Sequence, residues 1–279
     1  MSLISVDSGK CARDGICVDV CPIRLLVMDP ENGPKAVPGK EHLCIGCGHC
    51  VAACPHGALD NTGSPLGDHT PIPPGFSVDP ETAAVLLRSR RSIRRYKDEP
   101  VSRDILIKLL DVARFAPSGH NSQGISFLIV EGRENLLRIR EIVIDWMREV
   151  SRLQPEMGSR LNMPALIRAH ENGEDRILRG APQLIVAHAR RDLPPAMTSS
   201  TLALEYAELY ATTLGLGSCW AGYTQVCAQQ SPALSEFLKV PADRIITGIL
   251  MIGYPKYKYY RLPPRNRLDV AWFGEDAGK

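Results

Sequence analysis

Seven of the nine cysteines lie in two short runs, each of which closes on Cys-Pro. The second run reads Cys44-Ile-Gly-Cys47-Gly-His-Cys50-Val-Ala-Ala-Cys54-Pro55, the spacing C-x2-C-x2-C-x3-C-P. The first reads Cys11-Ala-Arg-Asp14-Gly-Ile-Cys17-Val-Asp-Val-Cys21-Pro22 and keeps that frame, with Asp14 in place of the second cysteine. Such spacing wraps three thiolates around one iron–sulfur cube, while the cysteine before proline reaches across to another cube. Two runs therefore predict two clusters and one-electron chemistry. Cluster one is assigned Cys11, Cys17 and Cys54, with Asp14 at its remaining iron. Cluster two is assigned Cys44, Cys47, Cys50 and Cys21.

Structural zinc fits less well, because zinc sites pair short C-x2-C hooks and need no trailing Cys-Pro. Disulfides would imply an exported protein, and residues 1–10 lack the apolar stretch of a secretion signal. His49 and His56 read as supporting or exposed residues rather than ligands. Asp14 leaves alternatives open, since a carboxylate is a harder and weaker partner for cluster iron than a thiolate. It is read as a labile ligand of a four-iron cluster. A three-iron cluster with an empty corner is the second reading, and an ordinary loop residue the third.

A second set of residues suits an anionic, heterocyclic ligand. Arg88, Arg90, Arg91, Arg94 and Arg95 crowd around Ser92, and guanidinium forks match phosphate oxygens. On these residues alone, a solvated basic helix end is an equal reading. Pro264-Arg265-Asn266-Arg267 could complete the same site. Ala116-Pro-Ser-Gly-His-Asn-Ser-Gln123 is a polar turn ahead of a buried strand. Gly215-Leu-Gly-Ser-Cys-Trp-Ala-Gly-Tyr223 follows a helix and carries Trp220 where a dinucleotide fingerprint needs its third glycine, so that reading fails. Cys219 and Cys227 lie outside the cluster runs and read as small buried hydrophobes.

The elements that must position these groups divide the chain into three. Residues 1–60 form a ferredoxin-like module of two similar halves, with little apolar core and clusters that hold it folded. Residues 61–80 carry five prolines and three glycines, a semi-rigid linker. Residues 81–279 are mostly helical. Asp79-Pro80 and Ser102 start two helices, the second with a stripe of Ile105, Leu109, Val112 and Ala116. A third helix runs from Arg133 to about Val150. Strands are expected at Phe127–Val130, Leu184–Ala187 and Ile245–Ile252, with helices at Thr201–Leu214 and after Ser231-Pro232. Residues 151–181 read as less regular, a lid that shapes a pocket. Without regular βαβ alternation, the fold class is α+β.

At 279 residues and net charge +2, nothing steers the chain toward nucleic acid. Its longest apolar run, Ile245–Gly253, is far short of the roughly 18 residues of a membrane span. A cytoplasmic location is expected, because exposed clusters and free thiols favour a reducing compartment.

Together, Ser89-Arg-Arg-Ser-Ile-Arg-Arg-Tyr96, Ala116–Gln123, Gly215–Tyr223 and Pro263-Pro-Arg265 resemble the FMN-dependent nitroreductases, in particular the branch with an N-terminal two-cluster ferredoxin domain. The resemblance spans essentially the whole chain. It implies a homodimer of sheet-and-helix subunits with FMN at each interface. Arg90, Ser92 and Arg94, with Arg91, would hold the phosphate and ribityl chain, assisted by Arg265 and Arg267. Pro117, Ser118, Gly119 and Asn121 would reach the flavin of the other subunit, and Trp220, Ala221 and Gly222 would lie near the isoalloxazine ring. One departure is Gly124-Ile125, where many relatives have Pro-Trp.

A flavin joins electron-pair chemistry to one-electron carriers. The expected activity is two-electron reduction of nitro compounds, quinones or related small acceptors, with NAD(P)H or a reduced ferredoxin as donor. Two other readings remain: an electron-transfer module serving a partner protein, and a dehydrogenase of a small metabolite with the clusters as electron exit. No residue is assigned as catalytic, and His120 reads as a turn residue rather than a proton donor.

Overall fold

A computed structural model describes residues 2–274. In the N-terminal module, β1 (Ile4–Val6) pairs antiparallel with β4 (Leu59–Asn61), and β2 (Leu26–Asp29) forms a hairpin with β3 (Gly33–Ala36). Two one-turn helices, α1 (Ile16–Asp19) and α2 (His49–Ala52), follow the two cysteine loops. Each is entered through a glycine at positive φ, Gly15 at 80° and Gly48 at 70°. A side chain would be strained there, so glycine lets the loop turn back into the helix. The apolar core is small, built on Ile4, Leu26, Val51 and Leu59 beside Cys17 and Cys50.

After an irregular stretch, α3 (Pro80–Ser89) starts at Asp79, whose carboxylate accepts the Thr82 amide at 2.8 Å. Ser102 caps α4 (Arg103–Ala113) in the same way. Next come β5 (Ser126–Glu131), α5 (Arg133–Leu153), α6 (Pro155–Arg160), α7 (Met163–Glu171), β6 (Gln183–Arg190), α8 (Ala196–Thr213), β7 (Gly217–Trp220), α9 (Gly222–Gln230), α10 (Ala233–Phe237) and β8 (Arg244–Gly253). The sheet order is β5-β6-β8-β7, with every pair antiparallel. This is the expected α+β class.

Both faces of the sheet are buried, which explains its near-continuous apolar strands. Leu184, Val186, Ile249 and Met251 face α5, α7, α9 and α10. Ile185, Ala187, Leu250 and Ile252 face α4 and α8. Gln183 ties the chain ahead of α4 to the sheet, accepting the Val101 amide at 2.7 Å and donating to its carbonyl at 3.0 Å.

Three expectations need correction. Residues 151–181 are not an irregular lid: α6 and α7 pack on α5, and Met163, Leu166, Ile177 and Leu178 are buried in the core. Pro155 and Asn162 break the helical pattern there, and short pieces do not show a long period. The Gly215–Tyr223 segment is a fourth strand running into α9, because its glycines and Ser218 are read as turn residues until a neighbouring strand pairs with them. Helix α8 starts five residues before Thr201, under Pro195.

Candidate functional site

The cysteines separate into two groups. Cys11, Asp14, Cys17 and Cys54 border one small recess. Cys21, Cys44, Cys47 and Cys50 border another. Each recess thus draws one of the four residues from the opposite half of the repeat. The surroundings also suit cluster sulfur. Leu25 donates its amide to Cys21 Sγ and Ala58 donates to Cys54 Sγ, both at 3.3 Å and both four residues past the cysteine. Asn61 Nδ2 lies 3.8 Å from Cys44 Sγ and 3.7 Å from Cys50 Sγ. Such N–H···S contacts and apolar walls tune a cluster's potential. Asp14 is exposed, and its Oδ1 accepts the Ile16 amide at 3.1 Å. His49 and His56 are exposed.

The arginine segment lies on the edge of the sheet. Ser92 bridges in parallel to Ser218 of β7, Tyr96 bridges to Pro255, and Ile93 donates its amide to Ser218 O at 2.8 Å. Ile93 and Tyr96 point inward and are buried, which leaves Arg94 and Arg95 exposed and Arg90, Arg91 and Ser92 half-buried. Gly217 makes the approach possible, since a Cβ there would collide with Ile93. Arg90, Arg91, Lys97, Lys256 and Lys258 line an open cationic cleft.

Glu208 of α8 organises the wall behind this segment. It is 1% exposed. Its Oε1 accepts Ser218 Oγ–H and its Oε2 accepts the Trp220 indole N–H, both at 2.8 Å. Arg90 Nη1 stands 3.5 Å away. Burial pushes the carboxyl above its ordinary range, while the Ser218 hydrogen bond and the Arg90 charge oppose that shift. The carboxylate thus fixes Trp220, Ser218 and Arg90 together.

The Pro117–Gln123 turn lies at the other end of α8. Gly119 donates its amide to Ser199 Oγ at 3.4 Å and packs against Pro195. Ser199 and Glu208 are nine residues apart, about 14 Å along the helix. One chain therefore does not bring Pro117, Ser118, Gly119 and Asn121 onto its own Arg90–Arg94. Trp220, Ala221 and Gly222 lie between the two, at the junction of β7 and α9. The C-terminal segment leaves along the arginine segment, with Lys256 N donating to Arg95 O at 3.0 Å and the Arg91 guanidinium 5.7 Å over the Tyr259 ring. Beyond it Arg265 and Arg267 are exposed, and no hydrogen bond or ion pair among the described residues joins them to Arg90–Arg94. Cys219 and Cys227 are buried, and burial pushes the Cys227 thiol up to about 12.

Residues 87–254 match the model of the nitroreductase family. The chain belongs to that family. Residues 10–58 match the 4Fe-4S dicluster domain, so this is a nitroreductase-family oxidoreductase with an N-terminal ferredoxin-like module. It is 30% identical over 190 residues to the iodotyrosine deiodinase of Thermotoga neapolitana, covering 67% of this chain and 95% of that protein. An iodotyrosine deiodinase solved with FMN and 3-iodo-L-tyrosine superposes with a TM-score of 0.52 at 25% identity, over 68% of this chain and 98% of that one. A nitroreductase with bound FMN from Desulfitobacterium hafniense gives 0.55 at 21% identity, over 70% and 100% of the two chains, a likeness of fold.

The nitroreductase-family half carries a donor set that suits a phosphorylated flavin: guanidinium and hydroxyl groups on one extended segment, with open space beside Gly222 at the start of α9. In the opposite loop, Ser122 Oγ is buried and unpartnered. Sequence reasoning missed Glu208 and Asn61. The signal for Glu208 was a charge at the buried stripe of an otherwise apolar helix, in step with Leu204 and Ala211. Asn61 carried no comparable sign.

Proposed function

We propose that this protein is an FMN-dependent reductase of nitro compounds, quinones or related small acceptors, in which two iron–sulfur clusters relay single electrons. The observation that carries the reading is the pairing, in one chain, of two four-residue groups around separate recesses with an arginine–serine segment at the edge of a nitroreductase-family sheet. Cluster one takes Cys11, Cys17, Cys54 and Asp14, and cluster two takes Cys21, Cys44, Cys47 and Cys50. Residues 1–60 are the cluster module, 61–80 the linker and 81–279 the flavin domain, of which 275–279 lie outside the described residues.

Bound FMN supplies exchange of an electron pair with an organic acceptor and of single electrons with the clusters. The chain's own residues do the rest. Arg90, Arg91, Ser92 and Arg94 bind and orient the phosphate and ribityl chain, with Arg265 and Arg267 arriving from the C-terminal segment. Trp220, Ala221 and Gly222 border the ring, and Glu208 holds Trp220 and Arg90 in register. Pro117, Ser118, Gly119 and Asn121 serve the flavin of a second copy, a reading supported by their lying at the opposite end of α8 from this chain's own Arg90.

The homodimer reading is supported by Met197, Leu202 and Tyr206 exposed on α8, by Ile107 and Phe115 nearby, and by Trp272 and Phe273 on the C-terminal segment. Surface of this kind marks an interface. The donor is NAD(P)H or a reduced ferredoxin. The deiodinase relatives add halogenated aromatics to the acceptors worth screening. Among the described residues no helix is long and apolar enough to cross a membrane, and the location proposed is the cytoplasm.

Anaerobic purification followed by flavin release, iron analysis and acceptor turnover tests this reading. Stoichiometric FMN with turnover of nitroaromatics or quinones is expected. A flavin-free protein, or one that only a partner protein oxidises and reduces, would replace it with the electron-transfer reading.

A further inference from the structure

Among the described residues, one side chain makes the hydrogen bonds between the two halves of the chain. Asn121 Nδ2 donates to Ile45 O at 3.2 Å and to Gly46 O at 3.0 Å. Those carbonyls lie between Cys44 and Cys47, inside the loop that wraps cluster two. Among the described residues, no other hydrogen bond or ion pair joins residues 2–69 to residues 81–274. No such contact reaches the recess of Cys11, Asp14, Cys17 and Cys54.

The loop that presents Asn121 is held stiffly. His120, Asn121 and Gln123 adopt φ of 51°, 52° and 46°, the left-handed region. Non-glycine residues there cost about 1–3 kcal/mol each and persist where the surroundings fix them, most often at functional sites. Asn121 N donates to Ser118 O and Gln123 N to Ser118 Oγ, both at 3.0 Å. Gly119 and Gly124 pack against Pro195 and Leu193 so closely that a side chain on either would clash.

We infer that cluster two is the proximal cluster, adjoining the flavin that the 117–123 loop serves, and that Asn121 is the positioning residue that sets their separation. The inference rests on the proposed reading that this loop borders bound FMN. Cluster one is then the distal cluster, where a low-potential one-electron donor such as a reduced ferredoxin delivers. Each transfer oxidises one centre and reduces the next by a single electron. Two transfers and two protons from water then convert, for example, a quinone to its hydroquinone.

The test compares the holoprotein with Asn121→Ala and Asn121→Gln. Hydrogen exchange reports protection at amides 44–50 and 11–17. Stopped-flow mixing of the oxidised holoprotein with a reduced ferredoxin reports electron arrival at the flavin through the clusters, divided by the rate of direct flavin reduction by NAD(P)H in the same preparation. Asn121→Ala should lose protection at 44–50 but not at 11–17, and the rate ratio should fall about tenfold or more, as small misplacements of reacting groups do. Asn121→Gln, which keeps the amide donors, should recover part of both. Unchanged protection and an unchanged ratio would overturn the inference, as would protection lost at 11–17 instead. If the wild-type holoprotein holds clusters but no flavin, the proposed function fails, and the exchange data still decide whether Asn121 holds the cluster-two loop.

Discussion

Glu208 Oε2 accepts the indole N–H of Trp220 at 2.8 Å, and its other oxygen accepts Ser218 Oγ–H, so one buried carboxylate ties helix α8 to strand β7. Arg90 completes the group from the arginine segment. Glu208→Ala leaves a Trp donor and a Ser hydroxyl without their acceptor and leaves the half-buried Arg90 with Glu205 alone, at 3.9 Å. A loss of about 3 kcal/mol is expected, with a shift in Trp220 fluorescence, both read in a urea titration.

The same carboxyl gives a pH dependence. Its folded-state pKa lies above the ordinary 4.5, so between those two values the native state holds a proton that the unfolded state has released. That contribution to stability is complete below about 4.5 and is lost as pH rises through the folded value. Glu208→Gln cannot ionise. The melting-temperature advantage of wild type over Glu208→Gln should therefore be largest at the acid end and shrink toward neutral pH. An advantage that grows with pH would show that Arg90 outweighs burial.

Arg94→Ala and Gly217→Ala separate binding from packing. Removing one charge-assisted phosphate contact costs about 1.5–3 kcal/mol, so Arg94→Ala should bind FMN about tenfold to a hundredfold more weakly with little change in melting of the apoprotein. Gly217→Ala drives a methyl into Ile93. Overpacking of about 1–3 kcal/mol should lower stability as well as FMN affinity, because it pushes the whole arginine segment off β7. Fluorescence titration with FMN and thermal melts of both variants decide this.

The α+β class, most helix starts and the grouping of cysteines were legible because they rest on local signals. Asp79-Pro80 and Ser102 carry their caps beside them, and the Cys-Pro frames encode their own wrapping. What was not legible depends on distant partners. Strand β7 exists because β8 pairs with it, and its Gly217 looks like a turn residue until Ile93 is laid against it. Residues 151–181 read as a lid because Pro155 and Asn162 hide two short core helices. Asn121 was marked as a flavin contact by resemblance, and nothing local announces its bonds to Ile45 and Gly46, 76 and 75 residues away.

Asp14 borders the cluster-one recess where a thiolate would complete the four. Anaerobic EPR should show a three-iron signal in the purified protein that added ferrous iron removes, since a carboxylate holds the fourth iron weakly. Asp14→Cys should abolish the three-iron form. A three-iron signal indifferent to ferrous iron in wild type would remove Asp14 from the ligand set.

Cys227 is fully buried, with its thiol pushed up to about 12. The thiolate is the reactive form, so iodoacetamide at mildly alkaline pH should leave Cys227 unmodified in the native protein and alkylate it after unfolding. Mass mapping of the native protein reads this directly. Modification at the rate of a free thiol would place Cys227 in reach of solvent.

The central claim is that one chain couples a flavin to two clusters. Anaerobic reductive titration of the purified holoprotein, followed by its absorbance spectrum, counts the electrons each protomer accepts. Two for FMN and one for each cluster predict about four per protomer, with flavin bleaching and cluster bleaching both resolved. Uptake of two electrons, with only one kind of centre bleaching, would contradict the account.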